Sequence, residues 1–218
     1  MPDLTRRHAL QAVASGLAAL AGCAGETERP TIDRRRNRRP SGDIEVRSVR
    51  NEDGAVLFTN RDELPTVTDD EQDRLARSSG SVVVSDVGID ELTFGTVPEA
   101  EQLRSFAAAT NFDSSSLYLL AMPVEACKEI RLQSATVEWD ELAGGDLHPH
   151  AQFCETFRPA DVECAAGEIH TAGFAIRLPV AAERSRGSGR GMSSSCRPSP
   201  HGEYFNATVT PARGGGDE

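Results

Sequence analysis

The chain has 218 residues, 38% of them apolar, with 34 acidic against 23 basic residues and a formal charge of −11. That apolar share supports one sizeable core, and the acidic balance argues against nucleic acid as a partner. Among the basic residues only Lys128 is a lysine.

The first element is a tripartite stretch from Thr5 to Cys23. A polar start carries Arg6 and Arg7, an uncharged run from Ala9 to Ala21 is rich in Ala, Leu and Gly, and Leu20-Ala21-Gly22-Cys23 closes it. This is the plan of an export signal over residues 1–22. The apolar run is shorter than the roughly 20 residues that span hydrocarbon, so no transmembrane helix is expected. Residues 23–43 hold two prolines and the basic run Arg34–Arg39, with almost nothing apolar, and read as a flexible tether. Its arginines suit anionic headgroups at about 1 kcal/mol each in moderate salt, although an ordinary solvated linker has the same composition.

The paired arginines resemble the twin-arginine export signal, and Leu20–Cys23 resembles the lipobox of bacterial and archaeal lipoproteins. With its abundant carboxylates and single lysine, the chain resembles the twin-arginine-exported surface lipoproteins of haloarchaea, a group whose shared features fix a location and not an activity. The resemblance implies a mature N-terminus at Cys23 with lipid on its sulfur, on the outer face of the cytoplasmic membrane. The membrane is then the chain's partner through the lipid on Cys23, and an envelope protein partner is a separate expectation of this reading. A carboxylate-rich surface keeps a folded chain hydrated in brine, where the Debye length falls to about 3 Å and long-range steering is lost.

Residues 44–211 are expected to form one domain, and residues 212–218 a disordered tail. Ile44–Val49 alternates apolar with polar, Asn51–Gly54 supplies turn chemistry, and Ala55–Phe58 follows, which predicts a hairpin. Thr68-Asp-Asp-Glu71 is a capping box opening a short helix that Ser78–Gly80 closes. Its acidic residues Asp69, Glu71 and Asp73 mimic a calcium loop, but Arg74 stands where the loop needs glycine. Ser81–Ser85 reads as a strand and Glu91–Phe94 as a further short element. A second capping box, Thr96-Val-Pro-Glu99, opens a helix whose Ala100, Leu103, Phe106 and Ala107 share a face. Leu117–Met122 has the unbroken apolar character of a central strand. Ile130–Trp139 is a longer strand whose alternation slips near Ser134, the mark of a bulge. Strands are also expected at Gln152–Phe157, Ile169–Leu178 and Tyr204–Thr210. The helix, Asn111-Phe-Asp113 and the strand after it resemble the small β domains of bacterial protease-associated lipoproteins over about Val82–Val137, a likeness that carries no residue role. The fold class is mainly β, an antiparallel sandwich or partly open barrel with two short helices, with α+β as the alternative.

Setting Cys23 aside leaves Cys127, Cys154, Cys164 and Cys196, an even number that favours disulfides on an exported domain. Cys154 and Cys164 flank the turn Arg158–Asp161 between two strand-like runs, so they are expected to pair, leaving Cys127 to Cys196. Metal binding by His148, His150, Cys154, Cys164 and His170 is the competing reading, but their order matches no zinc or blue-copper pattern. No nucleophile elbow, His-Glu-x-x-His helix or phosphate loop is present, and Gly187–Gly191 lacks flanking elements and reads as disordered. Glu138 and Asp140, beside Trp139, share a strand face as glycosidase carboxylates would, and as solvated edge charges commonly do. Asn206-Ala-Thr208 is an N-glycosylation sequon. No catalytic residue, metal or cofactor is assigned. The sequence favours a non-enzymatic binding or structural module of the envelope, with an envelope hydrolase or a metal-handling lipoprotein as alternatives.

Overall fold

A computed structural model of the chain describes residues 38–40, 44–67, 76–140, 146–196 and 209–211; residues 38–40, 139–140 and 209–211 are described by backbone alone. In order these form β1 (Arg38–Pro40), β2 (Glu45–Asn51), β3 (Phe58–Thr59), β4 (Ser79–Val83), α1 (Asp86–Asp90), β5 (Thr93–Phe94) and α2 (Pro98–Ala108). There follow β6 (Ser116–Glu125), β7 (Lys128–Asp140), β8 (Asp146–Phe157), β9 (Ile169–Leu178), β10 (Gly189–Ser193) and β11 (Val209–Pro211). The fold is mainly β. One sheet runs β1-β7-β8-β10, a second β11-β2-β9-β6-β4, and β3 pairs with β5. Among the described strands all ladders are antiparallel except β10 with β8 and β11 with β2. The sheets do not close into a barrel; the two larger ones pack face to face as a sandwich.

Strand alternation explains the layers. On β6, Tyr118, Leu120, Met122 and Val124 join Ile130, Val137, Leu147 and Phe153 of the facing sheet and Phe174 and Ile176 of β9 in one core. Phe153 and Phe174 meet across the gap with ring centroids 4.9 Å apart. The alternate residues Leu117, Leu119 and Ala121 pack in a second core with Leu103 and Ala107 of α2 and with Val49, Leu57 and Phe58. A strand covered on both faces needs apolar residues at every position, which is why β6 reads as an unbroken apolar run. Gly173 on β9 keeps this second core tight. A Cβ there would lie 2.5–2.9 Å from Leu57 Cδ1, Val49 Cγ2 and Leu103 Cδ1 at once.

Several expectations are met and several are corrected. The register of β7 against β8 slips between Leu132 and Ser134, where the sequence alternation slips. α2 buries Ala100, Leu103 and Ala107 as expected, but its N-cap is Val97 with no side-chain cap bond. Glu99 is engaged elsewhere, accepting a hydrogen bond from Asn51 Nδ2 at 3.0 Å. The hairpin after Asn51 does not form. β2 pairs with β9 and β11, while Phe58–Thr59 pair with Thr93–Phe94. Burial decides this: Leu57 and Phe58 are fully buried in the helix-side core, so the chain turns away from β2 to reach it. The helix expected from Thr68 falls largely outside the described residues, and Ser79 and Gly80 belong to β4. Gly187–Gly191 is not without structure, because Gly189–Ser193 runs parallel to His150–Cys154. The strand expected at Tyr204–Thr210 is described only from Val209.

The disulfide pairing is also corrected. Cys127 bonds Cys164 and Cys154 bonds Cys196, each with Cα atoms 5.1 Å apart. The expected Cys154–Cys164 bridge assumed that β8 and β9 form a hairpin, but they lie in opposite sheets. β10 runs beside β8 with Ser193 opposite Cys154, which delivers Cys196. The segment leaving β8 passes the β6–β7 turn, where Arg158 N donates to Cys127 O at 3.0 Å, and this delivers Cys164.

Two outcomes follow from this packing. Gly173→Ala is expected to cost about 1–3 kcal/mol by overpacking, read as a lower urea midpoint with an unchanged slope. An unreduced digest is expected to yield linked peptides containing Cys127 with Cys164 and Cys154 with Cys196. Reduction is expected to cost about 4 kcal/mol per bridge in the chain-entropy model for loops of 37 and 42 residues' separation, measured by denaturant unfolding.

Candidate functional site

At one end of the sandwich β2 finishes, β6 turns into β7, β8 leaves and β9 begins. Arg50, next to last on β2, organises this end. Its guanidinium donates to the carbonyl oxygens of Lys128 (2.8 Å), Ala126 (2.9 Å) and Glu125 (3.2 Å), and to Nδ1 of His170 (2.9 Å). A fork of N–H donors suits such a turn, where three carbonyl oxygens converge on one guanidinium. The chain leaving β8 is stitched to the same turn. Ala126 N donates to Glu168 O at 2.9 Å, Arg158 Nη1 donates to Ala126 O at 3.3 Å, and the Cys127–Cys164 bridge closes it.

An open cleft of about 1280 Å³ lies beside this knot. Buried Arg77 and His170 form its floor; Glu52, Asp53, Glu163, Glu168 and Arg158 stand around it, with Cys164–Gly167 as one wall. Arg77 is placed by a backbone device. Gly54 adopts φ 67°, and its carbonyl accepts from Arg77 Nε at 2.7 Å. A side chain at Gly54 would collide with the carbonyl oxygen of Ile169. Among the described residues, Arg77 has no carboxylate partner. Arg158 reaches Glu52 at 3.9 Å.

His170 is 5% exposed. Because Nδ1 accepts from Arg50, the proton sits on Nε2, which faces Glu168 Oε2 at 4.0 Å. Burial lowers its pKa below the ordinary histidine value, and the positive charges of Arg50 and Arg158 lower it further, against weaker opposing pulls from Glu52 and Glu168. The floor is therefore a neutral imidazole and a cationic guanidinium at neutral pH.

The residues singled out in the sequence are dispersed. Arg6, Arg7, Cys23, Asn206 and the acidic group Asp69, Glu71 and Asp73 lie outside the described residues. His148 and His150 sit on β8 away from His170, and His150 Nε2 lies 3.4 Å from Glu138 Oε2. Glu138 thus has an imidazole partner, and the side chains of Trp139 and Asp140 are outside the described set. Cys154 and Cys164 are bound in disulfides, so neither offers a thiolate. Among the described residues no group of three or more His, Cys, Asp and Glu side chains is arranged to hold a metal ion, and no helix is long and apolar enough to cross a membrane.

Sequence reasoning missed Arg50, Arg77 and Arg158, which lie far apart in the chain and carry no motif. It also missed Asp146, fully buried at the head of β8 and held by Arg184 and by Arg186, whose Nε is 2.6 Å from Oδ2. That pair of contacts ties the segment before β10 to the sheet, together with Leu147 N donating to Arg184 O at 3.1 Å. No family model, curated protein or solved structure matches the chain.

Stability is expected to fall with pH through this site. The unfolded chain takes up a proton on His170 near its ordinary pKa of about 6.5, whereas the folded chain takes it up only at lower pH. The contribution is complete above about pH 6.5 and is lost as pH drops below it. His170→Asn, which keeps an acceptor for Arg50 and does not titrate, is expected to flatten the slope of unfolding free energy between pH 7 and pH 5.

Proposed function

We propose that the protein is a lipid-anchored extracytoplasmic surface module that binds a ligand or an envelope partner rather than catalysing a reaction. The observation that carries this reading is the cysteine balance. Of five cysteines, four close into two disulfides, and the one left over is Cys23, the residue that the lipobox-like Leu20–Cys23 presents for acylation. Paired cysteines favour an oxidising compartment, and the paired Arg6 and Arg7 supply a route to it. The stretch from Cys23 up to β1, which is shorter than the tether expected over residues 23–43 because Arg38–Pro40 pair with β7, then holds a braced β domain off the membrane, with an acid-rich surface suited to concentrated salt.

Binding is favoured over a purely structural role by the cleft, whose polar residues converge on one space of ligand size. The candidate hydrolytic pair gains no such support, since Glu138 is engaged with His150 outside the cleft. A metal-handling role gains none from Cys154 and Cys164, which are oxidised.

The reading is tested by fractionation. Cys23→Ser is expected to move the protein from the membrane pellet to the soluble extracytoplasmic fraction, with both disulfides intact. Replacing Arg6 and Arg7 together by lysine is expected to trap the unprocessed chain in the cytoplasm. Recovery of Cys23→Ser in the membrane pellet at the wild-type level would refute anchoring through that residue.

A further inference from the structure

We infer that the cleft takes a small zwitterion of the amino-acid or short-peptide class, with its carboxylate on Arg77 and its ammonium among the carboxylates of the rim. This rests on the binding-module reading above and names the ligand of the same site. Arg77 is the starting point. It is 9% exposed, its Nε is committed to Gly54 O, and among the described residues nothing accepts from its Nη groups and no carboxylate lies within ion-pair distance. A buried guanidinium that touches no carboxylate among the described residues is costly to hold, and the geometry it prefers is the bidentate fork of a carboxylate. His170 offers a further donor in Nε2–H on the same floor.

The surroundings exclude a simple anion. Two guanidinia, Arg77 and Arg158, line the cleft against four carboxylates, Glu52, Asp53, Glu163 and Glu168. Only Glu52 among these reaches a guanidinium among the described residues, and Glu52 and Glu168 are well exposed. A lone anion meets repulsion at the rim, and a lone cation meets Arg77 at the floor. A molecule with one charge of each sign, separated by a few bonds, satisfies both levels. The volume exceeds what a single amino acid fills, which favours two or three residues with free termini. Arg158 is held by Ala126 O and Glu52 and fixes the wall.

Calorimetric titration of the full-length oxidised protein, isolated from its host membrane in detergent, tests the assignment. Trialanine is the probe; N-acetyl-trialanine supplies the anion alone, trialanine amide the cation alone, and alanine the shorter zwitterion. Trialanine is expected to bind at least tenfold tighter than either blocked form and tighter than alanine. Arg77→Gln is expected to weaken trialanine at least tenfold. Because Arg77 is buried, the exposed pair Glu163→Gln with Glu168→Gln serves as a fold-neutral second variant; it is expected to weaken trialanine several-fold while leaving the acetylated peptide no weaker. Equal affinity for blocked and free peptides, no saturable heat from trialanine, or unchanged affinity in both variants would overturn the proposal. Detergent-phase partition of the same preparations separates the two readings. Protein that partitions with detergent but shows no trialanine heat refutes the ligand alone, and protein that binds trialanine but stays in water refutes the anchor alone.

Discussion

Burial of the central strands β6 and β9 on both faces is the constraint on which the other features depend. β6 and β9 give one set of residues to the facing sheet and the alternate set to α2 and the segment around Leu57. Such strands cannot tolerate a register slip, because a shift by one residue would exchange two fitted surfaces at once. Gly173 shows how close the fit is, since three side chains from three different segments occupy the space a Cβ would need. The same burial pulls Leu57 and Phe58 away from β2 and so abolishes the hairpin that local turn chemistry favours.

With the central strands fixed, their ends are fixed too, and the end holding Arg50 becomes a place where polar groups must be satisfied. One guanidinium serves three turn carbonyls and an imidazole, one disulfide ties the chain leaving β8 to the same turn, and Gly54 turns its carbonyl to Arg77. The cleft is what remains beside this knot. Its shape is held by a covalent bridge and backbone hydrogen bonds rather than by loop side chains alone, which favours a preformed site over one assembled on binding. The opposite end relies on a different device, Asp146 with Arg184 and Arg186, and the second disulfide braces β10 against β8.

Periodicity carried much of the fold. The unbroken apolar run of β6, the helical face of α2, the extent of β9 and the irregularity of β7 near Ser134 were all legible, because each is a local consequence of what the segment packs against. Pairing was less legible. Cys154 and Cys164 are close in sequence but belong to a strand and a connection that part toward different sheets, and no local signal reports sheet membership. α1 was missed because five residues hold too little periodicity, although Ser85 does serve as its N-cap. The site residues were the least legible. Arg50, Arg77 and Arg158 come from three separate segments, and each alone looks like an ordinary residue in an acidic, arginine-rich chain; His170 drew notice only as a metal ligand. The carboxylate and histidine patterns that did stand out, Glu138 with Asp140 and His148 with His150, lie on the four-stranded sheet instead.

Placement at the membrane, the oxidised state of the domain and the leftover cysteine form one chemical proposition, and a single intact-mass measurement on protein taken from its host tests all of it. The account predicts a chain beginning at Cys23, heavier than its polypeptide by a lipid, with no thiol open to alkylation until reduction exposes four. A chain beginning at Met1, without lipid and alkylated at all five cysteines before reduction, would contradict it.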